Sequence, residues 1–111
     1  MHQLSQNVEA CIRACLDCYR TCFGMVMGHC LEAGGKPLEP GHVRLMVSCS
    51  EVCRASAHLM LGRTEHAKHI CRECAEICRA CADDCERVGE MDACVAACRA
   101  CAEACDRMMQ A

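Results

Sequence analysis

Sixteen of the 111 residues are cysteine, and their spacing is more informative than their number. Cys11, Cys15, Cys18 and Cys22 are separated by four, three and four positions; at about 100° per residue they share one helical sector roughly 60° wide. Cys71, Cys74, Cys78, Cys81 and Cys85 repeat the pattern, as do Cys94, Cys98, Cys101 and Cys105. Cys49 and Cys53 make a shorter run, with Ser56 and Met60 standing where two more cysteines would continue it. Cys30 alone falls about 100° away from its stripe and reads as a peripheral or interface residue. The chemistry that such stripes offer is soft thiolate ligation. Leucine would fill the same space with more hydrophobic stabilisation, so a cysteine core sacrifices packing for a property of sulfur.

Soft sulfur suits Cu(I), zinc or iron–sulfur clusters, and the spacing separates them. Zinc knuckles bring two C-x₂-C pairs together through turns. Here Cys15–Cys18 and Cys78–Cys81 fall in mid-helix, with no Gly or Pro to make a knuckle. The C-x₂-C-x₂-C-x₃-C-P run of ferredoxin-type clusters does not occur. Seven C-x₃-C pairs do occur: 11/15, 18/22, 49/53, 74/78, 81/85, 94/98 and 101/105. An i, i+4 pair on a helix sets its Cβ atoms about 5–6 Å apart, close enough for two thiolates to span one Cu(I). If each ion takes two thiolates and each thiolate bridges two ions, the ratio approaches one copper per stripe cysteine. Cation and thiolate charges then cancel inside the core. A thiol–disulfide enzyme would instead need one activated C-x₂-C at an exposed helix start. Nothing resembles a Ser-His-Asp set or a Gly-rich phosphate loop, and the carboxylates lie on outer faces, unlike the inward Glu-x-x-His of di-iron bundles. The reading is a binding protein, not an enzyme.

Four helices must position these stripes. Breaks at 34–41, 62–64 and 88–90 leave segments of roughly 5–33, 40–61, 64–88 and 91–110, within a single domain spanning 1–111. Gly34, Gly62 and Gly89 suit left-handed helix ends, Thr64 suits an N-cap, and Pro40 suits a first turn. Short connections make neighbours antiparallel, so the expected fold is all-α: an up-down-up-down four-helix bundle with a cysteine-lined core. The faces opposite the cysteines carry Arg13, Asp17 and Arg20, then Glu76 and Asp83, then Arg99 and Glu103. On the first helix Val8, Ile12, Leu16, Tyr19, Phe23 and Val26 line a flank suited to a neighbouring helix or another subunit. Cys-Arg-Ala-Cys-Ala at 78–82 returns at 98–102, as in a duplicated helical hairpin.

The repeated stripe, Cys11-x₃-Cys15-x₂-Cys18-x₃-Cys22 and Cys94-x₃-Cys98-x₂-Cys101-x₃-Cys105, resembles the bacterial copper storage proteins over nearly the whole chain. That resemblance implies a four-helix bundle storing many Cu(I) ions on inward cysteines for copper buffering or detoxification. It also implies tetrameric assembly and either an exported or a cytosolic branch, of which a chain with no leader pattern is expected to fall in the cytosolic one. The chain departs from the pattern in its second segment, where Ser56 and Met60 imply fewer thiolates.

Antiparallel order brings the end of the first helix and the starts of the second and fourth to one mouth. Met25, His29, His42, Met46 and Met91 gather there, and their weaker thioether and imidazole donors are expected to admit copper and pass it inward, the alternative being gap filling by the methionines and solvent exposure of the histidines. Met25 and His29 are expected to continue the first stripe. His58, His66 and His69 receive no role. The formal charge of -3, with both signs interspersed, gives no basic stripe for nucleic acid. No long uncharged apolar run suggests a membrane span, and the first residues, Met1 to Gln6, show no leader pattern. Copper ions are thus the expected partners, with a copper chaperone as a candidate donor, in a cytoplasmic homo-oligomer.

Overall fold

In the computed structural model, which describes residues 4–110, the first helix starts on a capped turn: the Val8 backbone N–H donates to the Ser5 hydroxyl at 3.2 Å. This helix, α1, runs Gln6–Met25 and continues through a π-helical turn, Val26–Cys30, into a last turn, Leu31–Ala33. Gly34 and Gly35 then take φ of 67° each, and a 3₁₀ turn, Lys36–Leu38, leads to α2. Helix α2 is Pro40–Leu61, with proline in its first turn. Helices α3, Ala67–Val88, and α4, Asp92–Gln110, follow.

Each helix packs on two neighbours, α1 with α2 and α4, and α3 with α2 and α4, which closes an antiparallel ring of four. The body is 49 × 20 × 19 Å, a rod with its core along the long axis. That core is almost free of large aliphatic side chains. All sixteen cysteines are buried, with Ile12, Val26, Met46, Met60, Met91 and small alanines such as Ala57, Ala75, Ala82 and Ala104 filling between them. Small residues at the helix contacts let the backbones approach, which is what brings short Cys side chains from four helices into touch.

Four local readings of the sequence are corrected. Gly62 is not left-handed, since its φ is -76°; Arg63 takes the positive φ instead, at 58°, one residue later. The third helix starts at Ala67, not at 64. Thr64 still accepts an N–H, from His66 to its hydroxyl at 3.3 Å, but it closes a turn ahead of the helix and does not cap it. The third correction concerns the end of α1. A π turn takes about one residue more than an α turn, so residues beyond it are rotated back by about 100°. Cys30 therefore comes round to face inward alongside Val26, while His29, like Met25 just before the turn, is only half-buried. Cys30, read as peripheral from an unbroken α period, is fully buried within the chain, which is the fourth correction. The segment taken as leaderless falls partly on residues 1–3, outside the described residues.

Gly24 lies inside α1 with open space around an added Cβ, and Gly89 holds φ at 87°. Gly24→Ala should raise the stability of the reduced protein by about 0.5–1 kcal/mol. Gly89→Ala should lower it by about 1–2 kcal/mol. Anaerobic urea unfolding followed by circular dichroism separates the two signs.

Candidate metal centre

The helical period and the antiparallel register place the sulfur atoms in overlapping groups along the bundle axis. At the end where α1 begins, Cys11, Cys71 and Cys105 have Sγ atoms within 4.8 Å of one another, with Cys11 to Cys105 at 3.5 Å. The next group is Cys15, Cys74, Cys101 and Cys105, followed by Cys53, Cys74, Cys78 and Cys101. Then come Cys18, Cys49, Cys53 and Cys78, and after them Cys18, Cys22, Cys49 and Cys98. Neighbouring groups share members, so Cys53 lies 3.7 Å from Cys74, 3.6 Å from Cys78 and 3.8 Å from Cys101. Cys18 similarly lies 3.8 Å from Cys49 and 3.7 Å from Cys98. Every cysteine is a free thiol. The separations are those of sulfur atoms in contact, well beyond the bonded distance of about 2.05 Å in a disulfide.

Cys81, Cys85 and Cys94 lie beyond these groups, toward the mouth. Cys81 and Cys85 each donate S–H to the Met46 thioether at 3.4 Å, and Cys94 points its thiol at the Thr21 carbonyl, 3.9 Å away. His42, Met46 and Met91 are buried at the same mouth. Half-buried His29 nevertheless has a buried Nε2 without a hydrogen-bond partner, as does His42. His58, His66 and His69 are exposed. At the opposite end Ser56 is fully buried and its hydroxyl has no partner. Seven residues along both helices from the Cys18–Cys49 contact stand Cys11 and Ser56, so α2 presents an oxygen where its neighbours present sulfur.

Two features of the mouth escape a reading of stripes. Cys30 is brought in by the π turn, which no composition signal marks. Asp84, whose carboxylate Oδ2 accepts from His42 Nδ1 at 2.7 Å, sits on a flank of α3 that the periodicity assigns to the surface.

Packed thiols share protons. Cys49 is held well below the ordinary thiol range by converging neighbours, Cys18 first and then Cys22, Cys53 and Cys78. Cys101 is lowered in the same way, chiefly by Cys105 and Cys15. Their partners keep the protons: Cys53 is pushed up mainly by Cys101, Cys98 mainly by Cys18, and Cys105 mainly by Cys101. Cys85 is drawn below the ordinary thiol range, first by Cys81 and then by Cys94. Burial pushes Cys30 up. A soft cation that binds these sulfurs as thiolates must displace the protons they hold.

The copper storage protein family model matches residues 4–110. Among solved structures, a protein from Nitrosospira multiformis is 51% identical with a TM-score of 0.92, over 95% of this chain and 96% of that one. The copper storage protein BsCsp3 of Bacillus subtilis, solved with Cu(I) bound, is 37% identical with a TM-score of 0.85, over 96% of this chain and all of the other. A cytosolic copper storage protein from Streptomyces lividans, solved with five coppers, is 28% identical with a TM-score of 0.81, over 96% and 94% of the two chains.

Because the raised thiols are protonated at neutral pH, loading with Cu(I) in weak buffer should release protons, and apparent affinity should tighten as pH rises. A pH indicator read during anaerobic titration checks the release. Uptake without protons, at pH-independent affinity, would mean that the thiols were already ionised.

Proposed function

The chain belongs to the copper storage protein family, and from that premise we propose that its Cu(I) is held by Cys11, Cys15, Cys18, Cys22, Cys49, Cys53, Cys71, Cys74, Cys78, Cys81, Cys85, Cys94, Cys98, Cys101 and Cys105. The observation that supports this ligand set is the overlap of neighbouring sulfur groups, which Cys81, Cys85 and Cys94 extend toward the mouth. A thiol shared by two groups, such as Cys53 or Cys74, can bridge two ions, and bridging lets the number of copper ions approach the number of thiolates. One Cu(I) per thiolate keeps a filled interior close to neutral, which avoids burying a large net charge.

The function is storage of Cu(I), and copper buffering or detoxification is its proposed use in the cell, in the cytoplasm, without catalysis. The four helices act as one domain, since the sulfur groups draw on all of them. Copper is admitted at the end where Met25, His29, His42, Met46 and Met91 gather, from a chaperone or from solution. Thioether and imidazole hold Cu(I) less tightly than thiolate, so ions would pass down a gradient of donor strength. The proposed assembly is a homotetramer. Its support is the face of α1 left uncovered, where Leu16, Phe23, Met27 and Leu31 are 38%, 41%, 51% and 55% exposed and Tyr19 stacks on Phe23.

Anaerobic titration of reduced protein with Cu(I) against a chromogenic competitor tests the storage reading. Tight uptake near one copper per stripe cysteine is expected; saturation at one or two ions would overturn it. Replacing Met25, His29, His42 and Met46 with alanine should slow loading on the order of tenfold while leaving the final stoichiometry nearly intact. Unchanged rates would remove the admission role. Phe23→Glu should shift the protein toward smaller species in sedimentation velocity if α1 forms the interface.

A further inference from the structure

His42 is held in an unusual way for a histidine near a helix start. It stands in the first turn of α2, its side chain 0% exposed, with Nδ1 2.7 Å from Asp84 Oδ2 on α3. The other carboxylate oxygen of Asp84 accepts from Arg87 Nε at 2.8 Å, and Arg87 Nη2 reaches Glu39 Oε2 at 3.3 Å. Glu39 immediately precedes the first residue of α2. A closed chain of groups thus runs from Glu39 through Arg87 and Asp84 to His42, tying the start of α2 to the end of α3.

The consequence for the imidazole is chemical. Asp84 Oδ1 accepts from Arg87 Nε while Oδ2 lies against His42 Nδ1, and a carboxylate paired with a guanidinium has no proton to give, so it can only accept. Neutral His42 must then carry its proton on Nδ1 and keep its lone pair on Nε2. That nitrogen is buried and meets no donor. An imidazole lone pair placed in the interior without a partner is costly, and an arrangement that enforces it is how proteins prepare a histidine to bind a metal. One turn further along α2 is Met46, whose thioether lies 3.4 Å from both Cys81 and Cys85.

We propose that Asp84 is a positioning residue for copper transfer: it fixes His42 in the Nδ1–H form and so keeps the buried Nε2 lone pair free to take copper at the mouth, one turn from Met46. The proposal rests on the admission role of the mouth. The step it serves is a ligand exchange. A Cu–N bond to Nε2 breaks as a Cu–S bond to Cys85 forms, copper remains Cu(I), and any proton on the accepting thiol leaves to water. Glu39 and Arg87 serve the same end by keeping the carboxylate oriented.

The test combines ¹⁵N NMR of the reduced, metal-free protein with stopped-flow transfer of Cu(I) from a chromogenic chelator. In the unaltered protein the His42 nitrogens should show a protonated Nδ1 and an unprotonated Nε2. The opposite tautomer would overturn the proposal whatever the variants do. Asp84→Asn can turn an amide N–H toward Nδ1, which permits the wrong tautomer, as in the Asp→Asn variant of a serine protease triad. It should mix or reverse the tautomer signals and slow transfer on the order of tenfold, with the same final copper stoichiometry. Asp84→Glu, which keeps a carboxylate, should retain the tautomer and recover most of the rate. If His42→Ala slows transfer and Asp84→Asn does not, the positioning role fails while the mouth survives. If neither slows transfer, His42 takes no part in admission and the proposal falls, while the four-residue replacement still decides the mouth. Slow transfer by Asp84→Asn with an unchanged tautomer would show that Asp84 only braces the two helices, and the proposal would fall.

Discussion

Contact between sulfur atoms is the constraint on which the rest of this structure depends. A thiol reaches only one atom beyond Cβ, so four helices can bring thiols to separations such as 3.5 and 3.8 Å only if their backbones lie close together. That requirement accounts for the alanines buried among the cysteines, the near absence of aromatic residues and the narrow cross-section. It also accounts for the charge pattern. With so little bulk inside, the charged groups stay on the rim, where Arg99 pairs with Glu86 and Arg79 with Asp106 across α3 and α4. These exposed pairs add little stability, and the bundle relies on its caps, its turns and many small contacts.

Much of this was legible in the residues. A three-and-four spacing leaves no choice but a helical stripe, and charged residues opposite the cysteines state which way each stripe faces. The breaks around 34–41, 62–64 and 88–90 were visible because Gly and Pro have strong local preferences. What escaped had causes outside the local chain. Whether Gly62 or Arg63 takes the left-handed turn depends on how α2 hands over to α3, and propensity alone favours the glycine. The π turn leaves no compositional mark, so the inward position of Cys30 could not be read from an ideal period. Asp84 looked like a surface carboxylate because its partner, His42, is forty-two positions away in sequence. The cysteines themselves were found by type and period, whereas the groups that orient a ligand from outside the stripe need the tertiary fold.

Helix α2 makes the two ends of the rod unlike each other. It supplies Cys49 and Cys53 at the centre, Met46 toward one end and Ser56 toward the other. A thioether is a soft, neutral and weak donor, suited to ions in passage. A serine hydroxyl is hard and offers Cu(I) little, so the group at Cys11, Cys71 and Cys105 has three sulfurs facing an unpartnered oxygen. The polarity of the rod thus arises from a departure of one helix from the pattern that the other three follow.

The overlap of sulfur groups along one axis also decides how the interior can be used. Five groups in a line, each sharing members with the next, make a single file and not a pool. An ion coming from the Met46 end reaches the Cys11 group only by displacing or stepping past every ion ahead of it, and it leaves in the reverse order. If the proposed mouth is the one route, such a rod would work last in, first out: the most recent arrivals would be the ready reserve, and the deepest positions would turn over only when everything above them had been withdrawn.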